Sequence, residues 1–350
     1  MLSYVLRRLA WMLPTLLGIS LVTFALVRLA PGDPGSVRFG GESAGAQADS
    51  AQFLREFRRA HLFDQPLWKQ YLHYLGPFHL GPEGHTWFGG DGRRPWHGLL
   101  AGDLGREYLR PSVSVAGEIG RRLRVTLPLA LAAAVLAYLV AIPLGIWSAV
   151  KRGTAFDATV AALLFVLYAL PTFWAALLLQ LGFGASGLGW LPVIGMRDKD
   201  AAALGAGASA LDLARHALLP IACLAYGGLA YLSRQMRAGM LEAIGQDYVR
   251  TARAKGLSER AVILKHALRN SLIPVLTLFG QVLPLLVGGS IVVETVFDLP
   301  GMGKYAYDGL VNREYDVVLG TVLVSALMTL VGFLVSDVLY ALVDPRIRYD

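Results

Sequence analysis

A basic stretch between residues 247 and 256 has the side chains best suited to binding chemistry. It contains the sequence DYVRTARAKG, in which cationic and small side chains alternate before a glycine. Guanidinium and ammonium groups can bind carboxylates, phosphates or backbone carbonyls. The stretch therefore indicates a binding role, either at a membrane surface with anionic lipid or against a partner protein. The residues alone leave both readings open.

The residues that follow Gly256 predict a second short helix. Ser258 is a suitable N-cap, and Glu259 lies in the first turn, where a negative charge is favoured. Apolar residues then recur at helical spacing, and these are Leu257, Ala261, Leu264, Leu268 and Leu272. The whole segment is thus a short helix, a glycine break and an amphipathic helix.

No catalytic motif accompanies this segment. The sequence GMGK at residues 301–304 resembles a phosphate-binding loop, but Asp298 stands where that pattern needs a glycine, and no Ser or Thr follows Lys304. A GxSxG elbow, an HExxH helix and paired cysteines are also missing from the sequence. We therefore predict that the chain has no catalytic residues and is not an enzyme.

Histidines and the single cysteine give weak signals for a metal site. Four histidines lie in one region, but none is spaced like a helical zinc-binding pair and no cysteine supports them; they are His73, His79, His85 and His97. They are predicted to be solvated loop side chains. Cys223 excludes an internal disulfide and is predicted to be a small buried hydrophobe. No metal site is expected.

The composition is that of a membrane protein. The chain has 350 residues, of which 55% are hydrophobic and 16% are charged, whereas a soluble domain carries about 25% charged residues. The formal net charge is +7. Much of the excess lies in short loops beside apolar runs, so membrane topology explains it better than nucleic-acid binding.

Six apolar segments are long enough to cross a bilayer, which takes about twenty residues. The sequence therefore predicts an all-α membrane protein with six transmembrane helices and a large exterior loop after the first. The predicted spans are Leu9–Val27, Val125–Val150, Thr159–Gly182, Ala217–Ser233, Leu272–Val293 and Val317–Leu342.

The distribution of Lys and Arg predicts that both termini are cytoplasmic. In that orientation the 63 cytoplasmic residues hold 14 Lys and Arg against 6 Asp and Glu, and the 151 exterior residues hold 17 against 18. The predicted regions are the N-terminus with the first span (1–30), an exterior loop domain (31–124) and a membrane core that holds the other five spans (125–350). The core contains a cytoplasmic loop at 234–272, which includes the basic stretch.

Ionisable residues are scarce inside the predicted spans. Spans two to five contain no Asp, Glu, Lys, Arg or His, whereas a proton-coupled transporter normally needs such groups near the middle of the membrane. Three polar side chains near or within spans are candidates for lining a path, with packing as the alternative: Gln281, Glu294 and Asp337. On these residues two functions stay open: an ion-gradient-driven secondary transporter, against which the lack of charged groups argues, and a non-transporting membrane scaffold.

Several short motifs, in order along nearly the whole chain, resemble permease subunits of ABC importers. The resemblance is to the B-type subunit of the dipeptide, oligopeptide and nickel family. It is carried by residues 6–9 (LRRL), 30–34 (APGDP), 70–74 (QYLHY), 102–105 (GDLG), 149–153 (AVKRG), 248–256 (YVRTARAKG), 266–270 (HALRN), 294–297 (ETVF), 300–303 (PGMG) and 344–348 (DPRIR). The stretch from Pro77 to Ala101 is longer than the family pattern.

The resemblance implies a transmembrane permease subunit of an ATP-driven importer for peptides or related small solutes, in a bacterial inner membrane. It also implies a second homologous permease, two cytoplasmic ATPase subunits that hold ATP and Mg²⁺, and an exterior solute-binding protein. In the family the basic stretch is a coupling helix that docks on an ATPase. The residues carried over to that role are Asp247, Tyr248, Arg250, Thr251, Ala252, Arg253, Ala254, Lys255 and Gly256.

Overall fold

The computed structural model describes residues 2–32, 34–35, 47–76, 97–198, 200–201, 205–272, 275 and 288–343. Within these residues the chain is helical, and the only β-type pairing is an isolated bridge between Arg106 and Ser114. The α-helices are α1 (Leu2–Leu29), α2 (Gln47–Ala60), α3 (Leu67–Leu75), α4 (Val115–Val150), α5 (Ala155–Ala169), α6 (Thr172–Phe183), α7 (Ala206–Ile244), α8 (Asp247–Ala254), α9 (Glu259–Ala261), α10 (Ile291–Val296), α11 (Met302–Val311) and α12 (Tyr315–Val343).

Four of these helices are long and apolar enough to cross a membrane. Their apolar stretches are Ser3–Leu29, Val115–Val150, Ala206–Ile244 and Tyr315–Val338. They contain the first, second and fourth predicted spans and most of the sixth, so these four predictions are confirmed as helices. Each helix extends beyond its predicted span, because the polar residues at its ends are helical as well.

The third predicted span is not one straight helix. Helices α5 and α6 meet at Leu170 with a bend of 103°. Pro171 has no N–H to donate and forces the preceding residue into an extended conformation, and Leu170 has ψ 120°. The Tyr226 hydroxyl donates a hydrogen bond of 2.9 Å to the Leu170 carbonyl, which satisfies this acceptor at the break.

The predicted fifth span lies mostly outside the described residues.

The chain divides into two compact units. The first contains Met1–Leu123 with Tyr305–Leu330, and the second contains Arg124–Lys304 with Val331–Asp350. Helices α2 and α3 both belong to the first unit.

The core of the first unit is aromatic. Phe57, Tyr108 and Tyr315 are buried together, and the Arg28 guanidinium lies 4.2 Å from the centre of the Phe63 ring. The Glu314 carboxylate accepts hydrogen bonds from the backbone N–H groups of Tyr108 (2.5 Å) and Leu109 (2.6 Å). Burial raises the pKa of Glu314 above the usual carboxyl range. These contacts fasten residues far apart in sequence to one another.

An ion pair in the second unit fixes the corner between α4 and α5. Asp157 is buried and accepts two hydrogen bonds from Arg237 of α7, at 2.9 and 2.8 Å. It also accepts hydrogen bonds from the Ser148 hydroxyl and from the backbone N–H of Gly153, whose φ is +77°. Because its charge is matched by Arg237, this carboxylate is held as a structural group.

Candidate functional site

The basic stretch predicted to bind a partner forms α8, an eight-residue helix with one buried face. Val249 and Ala252 are 0% and 5% exposed and belong to the same apolar core as Met236 and Met240 of α7. Helix α4 contributes Ile146 and other side chains to that core. The two inward residues therefore anchor α8 to the helices behind it.

The other face of α8 is exposed and mostly polar. Arg250 and Lys255 are exposed, and Tyr248 is 39% exposed. Of the two alanines in this stretch, Ala252 points into the core, and only Ala254 lies on the exposed face, where a small side chain permits close approach of a partner. The exposed members of the predicted set are Asp247, Tyr248, Arg250, Thr251, Arg253, Ala254, Lys255 and Gly256.

A glycine and an ion pair form the corner after α8. Gly256 has φ +75°, a conformation that L-amino acids with a side chain rarely adopt. Across this corner the Arg253 guanidinium donates hydrogen bonds of 3.1 and 2.7 Å to the two carboxylate oxygens of Glu259. Hydrogen bonding between them raises the pKa of Arg253 and lowers the pKa of Glu259. Arg253 is thus already engaged within the chain.

Two cations, Arg250 of α8 and Lys255 directly after it, remain for another molecule. Arg250 Nη1 lies 3.5 Å from an Asp247 carboxylate oxygen, but both side chains are largely exposed, at 73% and 96%. Lys255 is exposed and forms no ion pair with any residue that the structure describes. The sequence pattern gave the three cations equal weight, and it could not have identified the pairing of Arg253.

The helix predicted after Gly256 begins as expected and then changes its pitch. Ser258 is the N-cap of α9, since its hydroxyl accepts a hydrogen bond from the Ala261 N–H at 3.4 Å. A π-helical turn, Val262–Ala267, follows directly. The buried residues are Val262, Ile263 and Ala267, whereas Leu257 and Leu264 of the predicted apolar line are 43% and 47% exposed. The wider turn shifts which side chains face the core.

The Arg253–Glu259 pair should contribute little to stability. Both side chains are partly exposed, and such pairs contribute about 0.2–1 kcal/mol in double-mutant cycles. We expect Arg253→Met and Glu259→Gln, alone and combined, to give an interaction free energy in that range that falls as salt is added. Unfolding of the purified chain would measure it. An interaction free energy above about 2 kcal/mol would contradict this surface-pair estimate.

A second candidate site is an apolar cavity within the second unit. It has a volume of about 250 Å³ and is lined mainly by small and apolar side chains of α4 and α7. Its lining includes Ala133, Ala137 and Gly228, and Glu294 is the one acidic group among the described residues that line it. A cavity of this kind suits the passage or binding of small solutes with few fixed charges.

The Glu294 carboxylate is held in a cradle of hydrogen bonds. It accepts one from the Thr126 hydroxyl at 3.0 Å and one from the backbone N–H of Lys304 at 2.8 Å. The Thr126 oxygen in turn accepts a hydrogen bond of 2.8 Å from the Met302 N–H. Glu294 is 4% exposed. The carboxylate therefore fixes the 298–304 loop against α4.

Glycines make room for this carboxylate. A Cβ atom on Gly301 would lie 2.2 Å from the Glu294 carboxyl carbon, and one on Gly289 would lie 2.5 Å from a carboxylate oxygen. Gly289 also has φ +66°. The motifs at 294–297 and 300–303 are therefore two halves of one packed feature, a relation that linear spacing does not reveal.

The three side chains predicted to line a path differ in where they lie relative to this cavity. Glu294 lines the cavity, but its oxygens are engaged by Thr126 and Lys304. Asp337 is half-buried on α12 and is not among the residues that line this cavity. Gln281 lies outside the described residues. A path role for these side chains stays a prediction.

Two histidines predicted to be solvated are in contact with each other. His97 Nε2 lies 3.3 Å from His73 Nδ1, and both rings are half-buried in the first unit. They are separated by 24 positions, so helical spacing gave no signal for this pairing. His79 and His85 lie outside the described residues.

Comparison with known proteins identifies the class of this chain. Residues 141–349 match the family model of the binding-protein-dependent transport system inner membrane component, and residues 1–92 match that of its N-terminal region. The chain belongs to this family. It is accordingly a transmembrane permease subunit of an ATP-driven importer and a multi-pass protein of the inner membrane, as the sequence analysis predicted.

Two relatives that align over nearly their full length are peptide transport permeases. The chain is 36% identical to the oligopeptide transport system permease protein AppB of Bacillus subtilis, over 100% of both chains. It is 37% identical to the dipeptide transport system permease protein DppB of Escherichia coli K12, over 100% of this chain and 99% of DppB. These relatives are transport permeases and not enzymes.

A solved structure supports the fold. A chain of the MetNI methionine ABC transporter, in an inward-facing conformation, superposes with a TM-score of 0.50 at 18% identity. The match covers 65% of this chain and 97% of that one. At this identity the match bears on the fold alone.

Proposed function

We propose that this chain is one of two homologous permease subunits of a peptide importer, and that α8 transmits movement of a cytoplasmic ATPase subunit to the membrane helices. The observation that carries the proposal is the two-faced packing of α8. Its inner face is buried in the core through Val249 and Ala252, and its outer face presents Arg250 and Lys255. An element built in this way can receive a partner on one side and move its own helices with the other.

The packing behind α8 supports force transmission. Close-packed interiors have low compressibility and transmit displacement. The core that holds α8 also contains Met236 and Met240 of α7 and Ile146 of α4. Closure of an ATPase dimer against α8 would therefore move α4 and α7 as a rigid group, which is a common form of switching. The ATP and Mg²⁺ would be bound by the partner subunits.

The groove beside α8 offers a place for the partner to reach the chain. It has a volume of about 330 Å³ and is lined by Glu242, Gln246, Tyr248, Asn270 and neighbouring residues. Most of the side chains that line it are polar, as expected for a surface that meets a soluble protein. In the proposed orientation both termini and this groove face the cytoplasm.

Peptides are the proposed substrate class. The relatives are named oligopeptide and dipeptide permeases, and the 250 Å³ cavity has an apolar lining whose one carboxylate is already engaged. Such a lining places few demands on the side chains of a solute. Selection among solutes would fall mainly to the exterior binding protein, which delivers the substrate.

Charge reversal on the outer face of α8 tests the proposal. In vesicles containing the full transporter, Arg250→Glu with Lys255→Glu should lower ATP turnover stimulated by the loaded binding protein at least about 10-fold, since each lost charge-assisted contact contributes roughly 1.5–3 kcal/mol. Val249 and Ala252 are left intact, so the chain should insert and fold as the wild type does. Stimulated turnover and peptide uptake are the measurements.

Arg152→Glu is the matched control. Arg152 is an exposed arginine at the corner between α4 and α5, outside the α8 surface, and its reversal should leave stimulation near the wild-type level. Undiminished stimulation in the α8 variant would refute the coupling role. Uptake driven by an ion gradient without ATP would favour the secondary-transporter hypothesis instead.

A further inference from the structure

Three side chains with metal-binding groups meet where α7 begins. Asp212 and His216 lie one turn apart on α7, and Asp198 comes from the segment that precedes it. Each offers one ligand atom, and these atoms all lie within 4.8 Å of one another. His216 and Asp212 are 3% and 8% exposed. The Asp198 side chain is 73% exposed and gives access from solvent.

The hydrogen bonding of His216 identifies its free nitrogen. Nδ1 lies 2.9 Å from the backbone carbonyl oxygen of Asp212, which can only accept, so Nδ1 carries the proton. In the neutral imidazole Nε2 then bears a lone pair, and this nitrogen has no hydrogen-bond partner among the described residues. Histidines that bind metals characteristically donate their other N–H to a carbonyl or carboxylate in this way.

The group that faces this lone pair is another acceptor. The carboxylate oxygen nearest to His216 Nε2 belongs to Asp198 and lies 3.7 Å away. Two acceptors that face each other repel unless a proton or a cation lies between them. Asp212 adds a second carboxylate beside the ring, with Oδ1 3.2 Å from Nδ1. The local chemistry therefore favours a positive charge at this point.

The two arginines that adjoin Asp198 and His216 in sequence are engaged elsewhere. Arg197 donates a hydrogen bond of 2.6 Å to the Ser209 hydroxyl, and Arg215 donates one of 3.1 Å to the backbone carbonyl of Trp190. Neither forms an ion pair with Asp198 or Asp212. Asp212 Oδ2 accepts a hydrogen bond of 3.2 Å from the Asp198 backbone N–H. Neither arginine therefore neutralises these carboxylates, and each carboxylate keeps an oxygen for an ion.

We propose that Asp198, Asp212 and His216 bind a divalent transition-metal ion, with Zn²⁺ the first to test. One imidazole nitrogen and two carboxylate oxygens suit such an ion, with ligand distances of about 2.0–2.2 Å. Ligands at that distance in a tetrahedral site lie about 3.4 Å apart. The exposed Asp198 side chain can rotate to close the 3.7 Å separation. The ion would fasten the segment before α7 to the first turns of that helix.

Metal titration of the full-length chain tests this site. The chain would be purified in detergent without a histidine tag and titrated with Zn²⁺ by calorimetry, and with Co²⁺ by absorption spectroscopy. We expect saturable binding with His216 and Asp198 as ligands. Asp198→Asn and His216→Gln should each weaken binding by about 100-fold or more, because loss of even an outer partner of a metal ligand costs about 10–100-fold.

Two control variants separate this site from other candidates. Asp200→Asn removes an exposed carboxylate two positions from Asp198, and His73→Ala removes the His73–His97 pair of the first unit. Both should bind Zn²⁺ at this site as the wild type does. Asp198 is exposed, so Asp198→Asn should fold even if the buried His216→Gln does not.

Three results would overturn the assignment. The first is the absence of saturable Zn²⁺ and Co²⁺ binding to the wild type, in which case a proton lies between His216 and Asp198. The second is unchanged affinity in Asp198→Asn. The third is loss of all binding in His73→Ala, which would place the ion at the other histidine pair. The inference does not depend on the proposed transport function.

Discussion

Replacing Glu294 by alanine should destabilise the second unit by roughly 2–6 kcal/mol, because each of two buried donors left without an acceptor costs about 1–3 kcal/mol. The two donors are the Thr126 hydroxyl and the Lys304 N–H, which lie 3.0 and 2.8 Å from the carboxylate oxygens. The 298–304 loop would lose its hydrogen bond to the Glu294 carboxylate of α10 and keep the bond from the Met302 N–H to Thr126 of α4. We expect the loop to detach before the helices separate.

The buried Cys223 provides the measurement. It is the only cysteine of the chain and is 1% exposed, so a thiol-reactive dye should label it only when the second unit opens. The apparent midpoint of thermal labelling should fall in Glu294→Ala. Glu294→Gln should give a smaller fall, since its amide keeps one acceptor oxygen but turns its NH₂ group toward the second of the two donors. Equal midpoints for wild type and Glu294→Ala would show that the hydrogen bonds to Glu294 do not stabilise the second unit.

Gly301→Ala tests the same packing between the 298–304 loop and the Glu294 carboxylate, with the change made in the loop. Its Cβ would lie 2.2 Å from the Glu294 carboxyl carbon, so it should destabilise by about 1–3 kcal/mol through overpacking. When Glu294 is already alanine, that carboxyl carbon is gone. The two changes should therefore cost less together than their sum, as contacting residues do. Additive costs would show that the two residues do not share one packed site.

Much of the fold followed from the sequence because the bilayer imposes a strong pattern. Apolar length alone placed α1, α4, α7 and α12, whose backbone hydrogen bonds must be satisfied within each helix. The size of the bend at Pro171, 103°, could not be read from the sequence, since proline is tolerated inside membrane helices and only the packing around it decides between a kink and a break.

The candidate site was predicted in position but not in orientation. The pattern of α8 identified a binding segment, yet it did not show that Ala252 faces inward or that Arg253 pairs with Glu259. The π-helical turn Val262–Ala267 displaced the apolar face predicted from regular spacing. Contacts between distant positions, such as His73 with His97, have no signature in a single sequence.

Replacing Gly145 by alanine should destabilise the helix pair α4 and α7, although alanine is the better helix former by about 1 kcal/mol. A Cβ atom at this position would lie 2.6 Å from the Cβ of Met236 and 2.7 Å from the backbone carbonyl oxygen of Ser233. Small residues permit such close helix contacts in membranes. Overpacking of this kind costs about 1–3 kcal/mol, so the net effect should be unfavourable.

Gly227→Ala is the matched control, because Gly227 is also helical but a Cβ there would meet nothing within 4 Å. Its midpoint of Cys223 labelling should equal or exceed that of the wild type, while that of Gly145→Ala should fall. Trimming Met236 to alanine should not rescue Gly145→Ala, since the obstructing atoms are a Cβ carbon and a backbone oxygen. A Gly145→Ala midpoint at or above the wild type would show that α4 and α7 can separate freely. The core that anchors α8 would then be too loose to transmit force.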